Sequence, residues 1–192
     1  MRKKQGKLII ISAPSGSGKS TIISHLIGDE SLKLEFSVSA TTRPPRGEEK
    51  NGVEYYFMSL EEFNKAIEND ELVEYQEVYP GRFYGTLKSE VTRINKKGKN
   101  VVLDVDVLGA INVKKMYGDH ALAVFVKAPS IEVLRERLVK RGTDSPEDIE
   151  KRISKAEFEL GFADQFDHIV VNDVLDDAVR ETHQLITEFI KK

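Results

Sequence analysis

The stretch Lys7–Thr21, KLIIISAPSGSGKST, constrains this chain more than any other. A short apolar run ends in the small-residue loop Ala13-Pro14-Ser15-Gly16-Ser17-Gly18-Lys19-Ser20, and a helical pattern opens at Ser20. Strand, tight loop and helix must follow one another here. Small residues let the backbone bend around an anion, so that successive N–H groups point at phosphate oxygens. Lys19 is placed to reach the β- and γ-phosphates of a nucleoside triphosphate. The Ser20 hydroxyl can ligate Mg²⁺, and the helix adds the positive end of its dipole. The pattern is G-x-x-x-x-G-K-[ST] with Ala13 in the first place. Ala13 is expected at negative φ, where it costs nothing; at positive φ it would cost on the order of 1 kcal/mol. A plain Gly/Ser turn is the alternative, and the strand before and helix after argue against it.

Further Val/Ile/Leu-rich runs, Asn100–Val107, Ala121–Lys127 and His168–Asn172, lack clean alternation, as strands buried on both faces do. Leu34–Ser39 is expected as a fifth strand. Helical patterns over Ser20–Ile27, Leu108–Tyr117, Ile131–Arg141 and Val174–Ile190 separate them, which predicts βαβ units and a parallel sheet. At 192 residues the chain can bury one good core and a small second lobe. That lobe is expected at about 41–86, where Pro44-Pro45-Arg46-Gly47 and Lys50-Asn51-Gly52 are turn chemistry. Val53–Met58, Glu71–Val78 and Arg82–Thr86 read as short half-exposed strands. Ser59-Leu60-Glu61-Glu62 is a capping box that starts a short helix. Ser145 caps a helix expected from Pro146 to Gln165, and the link Arg141-Gly142-Thr143 before it reads as a hinge. Phe158, Phe162 and Phe166, four apart, are expected to form a core stripe on that helix. The basic start Met1–Gly6 precedes a core strand that breaks at Pro14, which does not fit a signal peptide.

A phosphate loop alone says only that a nucleotide is held. Arg43 and Arg46 lie three apart in a Pro-stiffened segment after a strand, and guanidinium forks match phosphate oxygens. A solvated basic loop is the bland alternative. The lobe also carries Glu49, Glu54, Tyr55, Tyr56, Glu74, Tyr75, Glu77, Tyr79 and Tyr84. Ionised carboxylates there could accept the N1–H and N2–H₂ donors of a guanine, and Tyr hydroxyls could donate to a monophosphate. An exposed sheet face would look the same. Arg137 and Arg141 share one helix face, and Arg152 stands early in the next helix. Such a cluster can offset charge on a transferring phosphoryl group, or simply be solvated. Arg135 is off that face and reads as structural. His25, His120, His168 and His183 show no metal spacing.

Taken together, APSGSGKST, SVSATTRPPRGEEKNGVEYYF, ELVEY with GRFYGT, LDVDVLGA, LVKRGTDSPEDIEKR and IVVND resemble the guanylate kinases, P-loop enzymes that phosphorylate GMP with ATP. The resemblance runs from about Lys7 to Ile190, and TTR-x-x-R-x-x-E-x-N-G is its most specific part. It implies a three-layer α/β P-loop kinase with a five-stranded parallel sheet. The core would be 1–40 and 87–192, the GMP-binding lobe 41–86, and the lid about 141–152. Ala13 to Thr21 and Asn172 would hold ATP, the last near the adenine. Ser39, Arg43, Arg46, Tyr55 and Tyr84 would hold the GMP phosphate. Glu74, Thr86 and Asp106 would read the guanine, with Gly85 and Glu49 also at the GMP site. Asp104 and Asp106 are expected to face opposite ways near the end of a central strand, Asp106 to guanine and Asp104 to the Mg²⁺ or phosphate-loop side. Asp106 could equally cap the next helix. Lys19, Arg43, Arg137, Arg141 and Arg152 would surround the transferring group, and Ser20, with Asp104 as second candidate, would hold Mg²⁺. Leu108 stands where the family often has Gln, so no polar role is expected there.

Net charge of −3 gives no basic field for nucleic acid or anionic membrane, and no apolar run approaches the ~20 residues of a bilayer span. The absence of cysteine removes disulfides and thiolate chemistry. A cytoplasmic protein acting on free nucleotides is expected, as monomer or homo-oligomer. A kinase for another nucleoside monophosphate and a phosphopeptide-binding module on the same fold are the rival readings. The lobe carboxylates weigh against the first, since adenine offers no N1–H/N2–H₂ pair. Lys19, Ser20 and the arginine cluster weigh against the second.

Overall fold

The face each apolar side chain takes decides the layering. The computed structural model describes residues 6–192, so the start Met1–Gln5 lies outside the described residues. In chain order the elements are β1 (Leu8–Ser12), α1 (Lys19–Ile27), β2 (Leu34–Phe36), β3 (Ala40–Thr41), β4 (Tyr56–Phe57), α2 (Leu60–Glu68), β5 (Leu72–Tyr79) and β6 (Arg82–Leu87). Then come α3 (Lys88–Lys96), β7 (Asn100–Asp104), α4 (Val107–Tyr117), β8 (Ala121–Lys127), α5 (Ile131–Arg141), α6 (Pro146–Leu160), β9 (His168–Val171) and α7 (Leu175–Lys191).

Five strands form one sheet in the order β2-β7-β1-β8-β9, every pairing parallel. Leu8 and Ile10 of β1 pack with Val91 and Ile94 of α3 and Ala110 and Val113 of α4. Ile9 and Ile11 turn to the other face and pack with Ile22 and Leu26 of α1 and Ala178 and Ile186 of α7. Period-two alternation, with both faces covered, gives the expected three layers. Each of these four β1 side chains is at most 2% exposed, which stabilises the fold by about 2 kcal/mol apiece. Among the described residues no helix is long and apolar enough to cross a membrane.

A second, four-stranded sheet runs β4-β3-β6-β5, with α2 over it. Phe63 and Ala66 of α2 bury against Ala40 and Leu72, with Tyr56, Phe83 and Leu87 around them. The capping box is made in full: Ser59 Oγ accepts from Glu62 N, and Glu62 reaches back to Ser59 N.

Several elements differ from expectation. The helix from Pro146 stops at Leu160, where Gly161 caps it, and Ala163–Gln165 is a separate 3₁₀ turn. Phe158, Phe162 and Phe166 therefore form no helical stripe. Phe158 is 56% exposed and meets Phe162 edge-on, while Phe166 turns into the sheet core against Phe125. Val53–Met58 yields only the two-residue β4, because turns occupy Gly52–Glu54. Leu34–Ser39 shortens to β2: Ser37 N still donates to the Val102 carbonyl of β7 at 2.9 Å, but Val38 N turns to Glu90 and the chain leaves the sheet. Helix α3 was not anticipated; its start has no side-chain cap, and Glu90 breaks its apolar face.

Candidate active site

Strand β1 is buried over its whole length, so the loop after it is thrown out at the C-terminal edge of the sheet. Ligands of open α/β sheets bind at that edge. Gly16 and Gly18 adopt φ of +92° and +90°, a region that L side chains rarely enter. Ala13 is not among the positive-φ residues, so it fits its place without strain. Gly18 is also the N-cap of α1, with no side-chain cap, and Ser20 and Thr21 in its first turn are exposed. The first N–H groups of α1 are thus left for an anion. Beneath the loop, the amide nitrogen of buried Asn172 donates to the Ser17 carbonyl at 2.8 Å. A Cβ on Gly18 would lie 2.2 Å from that nitrogen. Asn172, expected beside an adenine, has its side chain braced on the loop itself.

The Lys19 ammonium pairs with the carboxylate of Asp104, the last residue of β7. Burial draws Lys19 down to about 8, countered by the negative charges of Glu159 and Asp106. Lys19 is therefore a poised cation in a poorly hydrated place.

Positions two apart on a strand share a face, so the expected opposition of Asp104 and Asp106 does not come from strand alternation. The strand ends at Asp104, and Asp106, at φ −68° and ψ 174°, is the N-cap of α4, accepting from Gly109 N at 2.8 Å. The strand-to-helix junction separates the two carboxylates, Asp104 to Lys19 and Asp106 to the second sheet. There Asp106 meets Glu74 of β5: a Cβ on Gly109 would lie 2.9 Å from Glu74 Oε2 and 3.3 Å from Asp106 Oδ1. Glu74 Oε1 accepts from Thr86 Oγ1 at 2.8 Å. Burial pushes Glu74 up to about 7, and the charge of Asp106 adds to this against the Thr86 hydrogen bond. Gln76, two residues along β5 on the same face, donates its amide to Asp106 with its nitrogen turned to the carboxylate. The sequence reading missed Gln76. The i, i+2 spacing from Glu74 was the available signal.

At the far end of the second sheet, Arg43 is 5% exposed. Its guanidinium makes two 2.9 Å hydrogen bonds to the carboxylate of Glu49 and one of 2.7 Å to the Pro44 carbonyl. It also lies 5.3 Å from the Tyr55 ring centre and 5.7 Å from that of Phe57. Glu49 in turn accepts from Arg46 N at 2.7 Å, and hydrogen bonds, from Arg43 foremost, hold its carboxyl below the usual range. Tyr55 and Tyr84 meet edge-on at 6.0 Å. Gly85 pairs with Ala40 in the sheet, and the Ser39 carbonyl accepts from Tyr56 N at 2.9 Å. Arg46 itself projects outward, exposed.

Helices α5 and α6 approach the loop from the other side. Arg152 donates to Ser15 Oγ at 3.0 Å and to Asp144 at 2.9 Å. Arg137 donates to the Asn172 carbonyl at 2.9 Å. Arg141, the last residue of α5, is exposed, and no side-chain hydrogen bond or ion pair of it occurs among the described residues. Arg135 pairs with Glu150 and ties the two helices together. Among the described residues no three His, Asp or Glu side chains cluster as a metal cage. One carboxylate and one hydroxyl beside a phosphate loop do suit Mg²⁺, which binds through one or two protein ligands plus substrate phosphates.

A sequence model of guanylate kinase matches residues 5–189. The chain belongs to the guanylate kinase family. A guanylate kinase of Bacteroides thetaiotaomicron is 58% identical over 192 residues, 100% of this chain and 94% of that protein. One of Porphyromonas gingivalis is 60% identical over 186 residues, 97% of this chain and 99% of that protein. The crystal structure of guanylate kinase from Anaplasma phagocytophilum is similar with a TM-score of 0.76 at 28% identity, covering 99% of this chain and 89% of that one. Membership of the family fits a phosphate loop and a carboxylate pair held at the two sides of one strand end.

Proposed function

We propose that the chain transfers the γ-phosphoryl group of ATP to GMP, giving ADP and GDP, with donor and acceptor brought together at the end of β7. The observation that carries this is the divergence of Asp104 and Asp106, one held on Lys19 of the phosphate loop and the other beside Glu74 of the second sheet. The loop Ala13–Thr21 takes the triphosphate. Ser39, Arg43, Arg46, Tyr55 and Tyr84 take the acceptor phosphate; Glu74, Thr86 and Asp106 take the guanine edge. Glu49 fixes the Arg43 fork, and Gly85 keeps the strand narrow there. The lobe at 41–86 carries the acceptor, and the segment 141–152 is the lid.

The GMP phosphate already bears its attacking oxygen without a proton, so no general base is needed. A bond forms from that oxygen to the γ-phosphorus of ATP as the bond to the β,γ-bridging oxygen breaks, and ADP leaves. What remains for the protein is positioning and charge neutralisation. Lys19, Arg43 and Arg152 each rest on a carboxylate, Asp104, Glu49 and Asp144. Phosphate oxygens can recruit Lys19 and Arg152 with little movement, and Arg137 and Arg141 add charge from α5. Mg²⁺, when bound, neutralises the β,γ-phosphates; Ser20 and Asp104 are the residues that would hold it. On this reading the chain draws on free nucleotides of the cytoplasm.

An assay of ADP release with GMP, AMP, CMP and UMP as acceptors tests the reading. GMP alone should support rapid turnover. Equal turnover with AMP would contradict it, because adenine presents no N1–H/N2–H₂ donor pair to the carboxylates of Glu74 and Asp106.

A further inference from the structure

Helix α6 buries Ile149, Ile153 and Ala156, spaced four and three apart, on its inner face. The next place on that stripe is Glu159, which is 7% exposed. An apolar side chain is what the stripe calls for, and a buried carboxylate is costly unless it has a partner. Among the described residues its one ion pair is with Lys155, whose exposed ammonium stands 3.8 Å off, beyond hydrogen-bond distance. A buried, poorly partnered polar group calls for an explanation.

Its surroundings supply one. Its neighbour Leu160 lines a cavity with Pro14 and Ser17, so the end of α6 lies against the phosphate loop. Arg152, two helical turns earlier and on nearly the same face, already touches Ser15 of that loop. Glu159 lies within electrostatic reach of Lys19 and Asp106, and burial raises its own carboxyl. We infer that Glu159 is a positioning residue for Lys19, carried to the phosphate loop by the same helix that brings Arg152. This rests on Lys19 being the residue that binds the donor phosphates.

An ammonium has three N–H donors, and Asp104 occupies only part of that capacity. When a triphosphate draws Lys19 off Asp104, a second fixed carboxylate keeps the ammonium aimed at the loop. The buried position then trades stability for function.

The test uses the full chain with Glu159→Leu and the nearly isosteric Glu159→Gln. Melting temperature is measured, together with calorimetric affinities for a non-hydrolysable ATP analogue and for GMP. Glu159→Leu should melt at or above the parent, because it completes the apolar stripe. Both variants should lose about tenfold or more in affinity for the ATP analogue, the scale of two charges about 10 Å apart in a partly screened site, with GMP affinity within about twofold. Turnover should fall in both, more in the Leu variant. Unchanged ATP-analogue affinity, or equal losses for both nucleotides, would overturn the assignment. Lys19→Ala separates the two levels. If it binds the analogue as the parent does, the donor-loop reading itself fails; if it loses the analogue while the Glu159 variants keep it, only the role of Glu159 fails.

Discussion

Glu74 has a charge problem that guanine can relieve. Buried beside Asp106 and raised to about 7, its carboxyl is only part ionised at neutral pH. Guanine's N1–H and N2–H₂ are donors, so they bind the ionised form and pull the proton off. The acid form must be lost before GMP binds well, so kcat/KM for GMP should climb as pH rises through about 7, while kcat/KM for ATP lacks that limb. Glu74→Gln should abolish the limb and raise KM for GMP at least tenfold, leaving KM for ATP nearly unchanged, since an unmatched buried donor costs about 1–3 kcal/mol. The same raised value has a stability side. The Glu74 contribution is full below the unfolded value near 4.5 and is lost as pH rises through about 7. At pH 8 the Gln variant, free of that ionised carboxylate, should melt a few degrees above the parent. A lower melting point there, with intact GMP binding, would remove Glu74 from this role.

Helix α3 packs Val91 and Ile94 on the five-stranded sheet and reaches the second sheet through the charge of Glu90. Glu90, 2% exposed, takes hydrogen bonds from Arg93, from Tyr56 Oη of β4 at 2.8 Å, and from Val38 N at 3.1 Å. Burial works to raise its carboxyl, and these donors together hold it below the usual range. Arg93 also reaches Glu35 of β2, where Lys97 and Lys99 converge. Burial raises Glu35 too, yet the hydrogen bonds from Lys97, Arg93 and Lys99 bring it to about 2. Both contributions are present above the ordinary carboxylate range, and that of Glu35 is lost as pH falls towards 2. Glu90→Ala leaves four donor groups on three residues, Val38, Tyr56 and Arg93, without this acceptor, all of them partly buried. We expect a loss of about 3 kcal/mol, at the low end for a buried pair because Arg93 is partly exposed. For a chain of this size that is a fall in melting temperature of roughly 6–12 °C by calorimetry. A change under 2 °C would show that apolar packing, not this network, joins α3 to the second sheet.

At the scale of the whole molecule, what was legible was what local chemistry decides. The phosphate loop, the capping box at Ser59, the N-cap at Ser145 and the buried parallel strands follow from residues close in sequence. Helix α3 was hidden because its inner face is built on a glutamate whose partners lie on β4 and the β2–β3 link. The Phe158–Phe166 stripe failed because Gly161 ends the helix, after which the two later rings are set by the sheet core. At the site, Lys19, Asp104, Asp106 and Glu74 were legible as chemistry, and the resemblance also set Asp106 with Glu74 and Asp104 on the phosphate-loop side; the strand-to-helix junction that separates the two aspartates was not legible. Gln76 and Glu159 were missed because strand register and helix docking, not spacing alone, bring them in. On the proposed reading the two carboxylate-flanked halves form a single transfer site. The most direct test supplies ATP labelled in its γ-phosphate together with unlabelled GMP, and resolves the labelled products. Label should move into the β-phosphate of GDP in step with ADP formation, and free phosphate should stay minor. Label released mainly as free phosphate, or ADP formed at the same rate without GMP, would contradict a joined donor and acceptor site.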